Sequence, residues 1–255
     1  MSAVMSRDSS SAPVVELENV SKWYGPTQVL KSINLQANAG KVLVILGDNG
    51  AGKSTLVKIL SGVERISEGN YLFKGSRIEM RSPRIARELG IATVFQDLAI
   101  CPMLSIARNI VLGNEPKRRV GPLTFLDMPE ARRQARAALS QLGVNISRDE
   151  TELAARLSGG ERQSVAIARA VHFGASCLML DEPTSALAVR QAGKVLDSIA
   201  VARDRGQAVI MITHNFNHAM EIADQIVIVR QGEIVSRMKP AETSITEISR
   251  FVSGS

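Results

Sequence analysis

Two short runs, far apart in the chain, hold the residues best suited to chemistry: Gly47-Asp48-Asn49-Gly50-Ala51-Gly52-Lys53-Ser54-Thr55 and Leu157-Ser158-Gly159-Gly160-Glu161. In the first, the glycines let backbone N–H groups turn inward around a triphosphate. Lys53 brings a point charge to the outer phosphates, and the Ser54 hydroxyl can ligate Mg2+. The flanks agree: VLVIL at Val42 to Leu46 reads as a short buried strand, and Leu56, Ile59 and Leu60 give the following helix an apolar face. In the second run Ser158 is a candidate helix N-cap with Glu161 three residues on. That spacing makes a capping box and leaves free N–H groups for an anion, although the same residues also suit an ordinary structural cap. Each run supplies half of a phosphate site.

Three further positions fall where strands end. CLMLDEP places Asp181 and Glu182 at the carboxyl end of a buried strand, the edge at which open α/β sheets bind ligands. Asp181 there can hold Mg2+ through water, and Glu182 can polarise a water attacking a γ-phosphate. The bland alternative, an acidic turn closed by Pro183, loses ground because a phosphate-binding loop lies upstream. His214 directly follows the strand VIMIT, where a neutral imidazole can donate to a γ-phosphate. Gln96 ends the strand IATVFQ and can offer an oxygen to Mg2+ or to the attacking water. Tyr24, in an N-terminal hairpin, can stack on adenine. Taken singly, these last three fit surface or loop positions equally well.

The elements that must position these groups follow from hydrophobic period and turn residues. Val14 to Ala37 alternates around Gly25-Pro26 as two antiparallel strands, and Gly69 to Met80 reads as another hairpin. Between Asp97 and Leu157 prolines and glycines punctuate short helical pieces. The best of these starts at Asp127, where Asp127 and Glu130 form a capping box and Pro129 sits in the first turn. A helix over Glu161–Phe173, a strand over Cys177–Asp181, a helix ending at Arg203–Gly206 and a strand over Val209–Thr213 follow. Gln225 to Arg237 makes a last hairpin. Alternating strands and helices imply an α/β fold with a mostly parallel sheet covered on both faces.

Composition narrows the classes. With 255 residues, 45% of them hydrophobic, the chain can bury a real core. No apolar stretch is long enough to cross a bilayer, and the opening residues lack the apolar block of a secretory signal, so a cytoplasmic location is expected. Two cysteines, Cys101 and Cys177, are too few for a disulfide framework. The net charge of +6 selects no partner by itself. The clusters Arg77, Arg81, Arg84, Arg87 and Lys117, Arg118, Arg119 read as solvated faces. Only two Tyr and one Trp are available for base stacking, so nucleic-acid binding is not favoured.

The order Tyr24, Gly47 to Thr55, Gln96, Leu157 to Glu161, Asp181-Glu182, His214 resembles the ATP-binding cassette family, the nucleotide-binding subunits of ABC transporters. The resemblance spans about Val14 to Arg237. It implies a P-loop NTPase core with an N-terminal antiparallel β subdomain and an inserted α-helical subdomain. On this reading residues 1–13 are a disordered tail, 14–240 a single ATPase domain with the helical subdomain at about 97–160, and 241–255 a short C-terminal tail. Tyr24 resembles the adenine-stacking aromatic, Gly47 to Thr55 the Walker A loop, Gln96 the Q-loop, Leu157 to Glu161 the signature, Asp181 the Walker B carboxylate, Glu182 the catalytic base and His214 the switch histidine.

The resemblance further implies ATP and Mg2+ as cofactors and a homodimer in which ATP on one P-loop is capped by the Ser158, Gly159 and Gly160 amides of the other copy. It also implies membrane permease subunits, a solute-binding protein acting through them, and a place on the inner face of the cell membrane. VFQDLAICPMLSIARNIVLGNEP and ITHNFNHAMEIADQIVIVRQGEIV look most like the monosaccharide-importer branch. One departure stands out: Ser185-Ala186-Leu187-Ala188 has alanine where the family usually has aspartate. This puts communication between the two sites in doubt. The alternatives are a soluble ABC ATPase acting on nucleic acid or ribosomes, and a non-hydrolysing regulatory cassette.

Overall fold

A computed structural model describes residues 12–144 and 148–254. The first eleven of the thirteen residues expected to form a tail lie outside them. Among the described residues, β1 (Val15–Tyr24), β2 (Thr27–Ala37), β4 (Glu68–Phe73) and β5 (Ser76–Ile78) form an antiparallel sheet in the order β2-β1-β4-β5.

A second sheet carries β3 (Val42–Leu46), β6 (Ile91–Val94), β9 (Cys177–Asp181), β10 (Ala208–Ile212), β11 (Gln225–Arg230) and β12 (Glu233–Met238), in the order β12-β11-β3-β10-β9-β6. Its strands are parallel except β12, which pairs antiparallel with β11 at the edge.

The second sheet is buried on both faces, and strand period sorts its residues into two cores. Val42, Val44, Leu46, Leu178, Leu180, Val209 and Met211 face the helices α5 (Gly159–His172) and α6 (Val189–Asp204). Leu43, Ile45, Cys177, Met179, Ile210 and Ile212 face the antiparallel sheet and α1 (Lys53–Leu60). This sandwich holds the strand ends in fixed register.

The insertion departs from the expected short helical pieces. It contains α3 (Ile106–Val111) and α4 (Met128–Gln141), but between them β7 (Lys117–Val120) and β8 (Leu123–Leu126) form a two-stranded hairpin. Asp127 caps α4 by accepting from Glu130 N at 3.1 Å, yet the reciprocal half of the expected box is missing. The Asp127 N–H instead donates to Pro116 O at 2.8 Å, closing the hairpin base, and the Glu130 carboxylate pairs with Arg133 and Gln134.

The expected C-terminal tail is also different. Residues Ile245–Ser253 form α8, which buries Ile248 and Val252, and Arg230 Nη1 donates to Phe251 O at 3.1 Å. α8 packs on β11 and on α7 (Phe216–Ile222).

Candidate active site

Register fixes where the chemistry gathers. Ile212 of β10 lies level with Asp181 of β9 on one side and with Ile45 of β3 on the other, and Val94 of β6 lies level with Leu180. The loop from Gly47, the Asp181-Glu182 pair, His214 and Gln96 therefore all leave the sheet at one edge, the carboxyl ends of its parallel strands.

The phosphate loop depends on two of its glycines. A Cβ on Gly47 would run into the Val229 carbonyl oxygen, and one on Gly52 would sit 2.8 Å from Leu30 Cδ2. Gly52 precedes α1 at φ 107°, a conformation that L side chains rarely adopt. Close seating against β11 and β2 thus excludes side chains. α1 begins at Lys53, so Ser54 lies in its first turn, where N–H groups lack intrahelical partners.

Lys53 Nζ donates to Gly47 O and, at 2.9 Å, to Asp48 O. Burial lowers its pKa, opposed by the charges of Glu182, Asp48 and Asp181. Burial also raises the Asp181 pKa, reinforced by neighbouring Glu182 and opposed by Lys53. Lys53 is thus the cation that the charges of Glu182, Asp48 and Asp181 bear on.

Glu182 sits at φ 50°, in the left-handed region that non-glycine residues seldom occupy, and its N–H is pinned to Ile212 O at 2.9 Å. Its Oε1 lies 2.8 Å from His214 Nδ1, and its Oε2 accepts from Thr213 Oγ1 at 3.3 Å. The carboxylate is 13% exposed and the imidazole 70%. Whenever Nδ1 carries the proton of that bond, Nε2 of a singly protonated ring is an acceptor, so donation to a phosphate then requires a second ring proton or a turn away from Glu182. Thr213 was not singled out in the sequence; its place immediately before His214 at a strand end is the signal that could have found it.

Gln96 lies two residues beyond β6, exposed, at the same edge. Tyr24 ends β1 with its ring 40% exposed and Lys22 Nζ 4.9 Å above it. β2, which follows, passes under Gly52 through Val29 and Leu30.

Ser158 to Glu161 do not join this group. Ser158 caps α5, accepting from Glu161 N at 3.3 Å, while Glu161 Oε2 accepts from Ser158 N at 2.8 Å. Burial alone would raise the Glu161 pKa, but the Ser158 bonds hold it below the usual carboxylate range. The capping box therefore consumes the Ser158 amide expected to bind phosphate and leaves Gly159 and Gly160 as the free N–H groups.

A Cβ on Gly159 would sit 3.0 Å from Leu187, and one on Gly160 2.9 Å from Gln191 Cβ, so these glycines let α5 seat on the start of α6. The adjoining cavity of about 590 Å³ is lined by Ser158, Gly160, Glu161, Gln191 and Lys194 among others, and by no residue of the phosphate loop.

Among the described residues no three His, Cys, Asp or Glu side chains gather into a metal cage. Ser54, Asp181 and Gln96 alone give a sparse donor set. That suits magnesium, which keeps several waters and completes its shell with substrate phosphates.

A phosphate loop, a carboxylate pair and a histidine on one edge of a parallel sheet define a P-loop nucleotide-hydrolysing protein. The chain belongs to the ABC transporter family, whose model matches residues 30–185, and it is an ATP-binding ATPase. It is 39% identical over 239 residues to the xylose/arabinose import ATP-binding protein of Sulfolobus acidocaldarius, covering 94% of this chain and 93% of that one. It is also 39% identical over 246 residues to the fructose import ATP-binding protein of Rhizobium meliloti, covering 95% and 94%. A ribose import ATP-binding protein of Chromobacterium violaceum is 37% identical, with 94% of this chain matching 47% of that one. Among solved structures, a nucleotide-free ATP-binding cassette from an ABC transporter superposes with a TM-score of 0.79 at 22% identity, over 94% of this chain and 95% of that chain. A dimeric cassette in a post-hydrolysis state with ADP and Pi gives 0.71 at 26%, over 89% and 98%.

Proposed function

We propose that this chain is the ATP-hydrolysing subunit of an importer for a monosaccharide, working as a head-to-tail homodimer against membrane permease subunits on the cytoplasmic face of the membrane. The names of its relatives support the sugar and the direction. The permeases, and a solute-binding protein acting through them, are where the sugar is selected. No helix among the described residues is long and apolar enough to cross a membrane, which agrees with a peripheral place.

In this reading Tyr24 stacks on adenine. The amides from Gly47 to Thr55, including those of Asp48, Asn49, Gly50 and Ala51, cradle the β- and γ-phosphates, and Lys53 leaves its loop carbonyls for the phosphate oxygens. Ser54, Asp181 through water, and Gln96 hold Mg2+, which when bound neutralises charge on the phosphates. Glu182 accepts the proton of the attacking water. His214 and Thr213 fix the two oxygens of that carboxylate, so the base meets the water in one orientation.

The observation that supports the dimer is that the side-chain bonds and the cavity at Ser158–Glu161 include no residue of the phosphate loop. Free Gly159 and Gly160 amides and the Ser158 hydroxyl complete a phosphate site only when supplied by a second copy. Complementation tests this. Lys53→Ala and Ser158→Arg should each be inactive, while their mixture should regain turnover, because one of the two composite sites in a mixed dimer is intact. A mixture as inactive as its components rules out the arrangement in trans.

A further inference from the structure

The hairpin β7–β8 has no part in that site. Its register pairs Lys117 with Leu126, Arg118 with Phe125, Arg119 with Thr124 and Val120 with Leu123. Residues directly opposed across antiparallel strands share a face, so Arg118, Val120, Leu123 and Phe125 stand on one side and Lys117, Arg119, Thr124 and Leu126 on the other.

A hairpin folded onto a core would bury one of these faces. Here Val120 is 54% exposed, Leu123 59% and Phe125 48%, and of the eight strand residues only Leu126 is less than exposed. Two strands gain little stability from each other alone, and grouping three large apolar side chains in water works against solubility. The Asp127 to Pro116 bond and the cap of α4 fix the base, so the tip around Gly121-Pro122 stands clear of the fold.

Charge supplies the second observation. Lys117, Arg118 and Arg119 are consecutive, and among the described residues none of them forms an ion pair or a side-chain hydrogen bond. The nearest acid on the approach is Glu115, whose carboxylate accepts from Gly113 N at 3.2 Å and feels the charge of Lys117. The strands themselves carry no acid.

Cations at the base of an apolar tip match an anionic bilayer surface. The basic groups meet phosphate headgroups while the apolar groups enter the boundary with the acyl chains, and long basic side chains can reach the headgroups from either face. A protein groove would cover one face of the hairpin and leave the other in water, whereas a headgroup layer surrounds both. We propose that the β7–β8 hairpin inserts its tip into the headgroup layer of an anionic membrane, giving the subunit a lipid contact of its own. The proposal does not depend on the assignment of the nucleotide site.

Flotation of the full-length, nucleotide-free protein with vesicles tests this, comparing phosphatidylcholine alone with phosphatidylcholine mixed with phosphatidylglycerol. The protein should float with the anionic vesicles and stay behind with the neutral ones. Lys117→Gln/Arg118→Gln/Arg119→Gln should lower partitioning by about a hundredfold, since each basic residue near such a surface contributes roughly a fivefold factor. Val120→Ser/Leu123→Ser/Phe125→Ser should lower it while leaving ATP binding unchanged, showing that the fold survives. In a Trp23→Phe background, the indole introduced by Phe125→Trp should shift its emission to the blue on adding anionic vesicles. Failure of the unaltered protein to float, equal flotation of the variants, or an indole emission indifferent to vesicles would each overturn the proposal.

Discussion

His214 Nδ1 lies 2.8 Å from Glu182 Oε1, so an exposed imidazole holds a largely buried carboxylate. Thr213 takes the other oxygen, and a left-handed backbone at Glu182 is tied to Ile212 O. The side chain has little freedom left, which is what a base aimed at one water requires.

Glu182→Gln keeps an oxygen and the size of the side chain but removes the proton acceptor. Turnover should fall by about 10²–10⁴-fold, the range that a general base contributes. Nucleotide affinity should stay within a few-fold, because Lys53 and the glycine loop are untouched. Steady-state hydrolysis alongside equilibrium ATP binding checks both, and turnover that survives the change takes the base role away from Glu182.

Ala188 occupies the N-cap of α6 without offering a side-chain acceptor, and the Gln191 N–H is left to the Ala188 backbone oxygen at 2.8 Å. Ala188→Asp should stabilise the protein by about 1 kcal/mol. For a chain of this size that corresponds to a rise in Tm of about 2–4 °C. Thermal unfolding of the isolated subunit measures it, and an unchanged Tm would mean the first turn of α6 gains nothing from a carboxylate.

Cys177 is fully buried at the start of β9, and burial pushes its thiol pKa up to about 12. In the unfolded chain the same thiol ionises near the ordinary value of about 8.5. The neutral folded thiol thus stabilises the fold below that pH, and the contribution drains away as pH rises from there toward the folded value. Alkaline denaturation profiles should show a limb in this window that Cys177→Val flattens. In the native protein at neutral pH, thiol reagents should modify Cys101 and spare Cys177 until the chain unfolds.

The parts of the fold legible in the sequence were those governed by local rules. Alternation and turn residues located β1 to β5 and the β11–β12 hairpin, and the C-terminal glycine closed α6. The Ser158–Glu161 box formed with both of its bonds because its partners are three residues apart. The Asp127–Glu130 box formed only in part, since the Asp127 N–H found Pro116 across a hairpin that no periodicity announced. Lys117 to Arg119 read as a solvated basic run, and their strand character becomes visible only when Leu123 to Leu126 pair with them. α8 was missed although Ile245, Ile248, Phe251 and Val252 keep helical spacing behind the Ser244 cap, because nine residues make too short a helix to stand without α7 and β11. The contacts of Thr213 and His214 with Glu182 run across the sheet edge, which a linear pattern does not carry.

The stretch from Glu182 to Leu187 is short, and in the proposed dimer its two ends would answer to different nucleotides. At one end Glu182 would serve the pocket formed by its own chain. At the other Leu187 fills the space that a methyl on Gly159 would need, beneath the motif that this copy would lend to its twin. Midway, Thr184 is tethered to His218 of α7 at 2.9 Å. On the proposed arrangement so short a tether would leave little slack: a shift of the carboxylate as its own phosphate departs would be carried along it to the glycine corner offered across the two-fold.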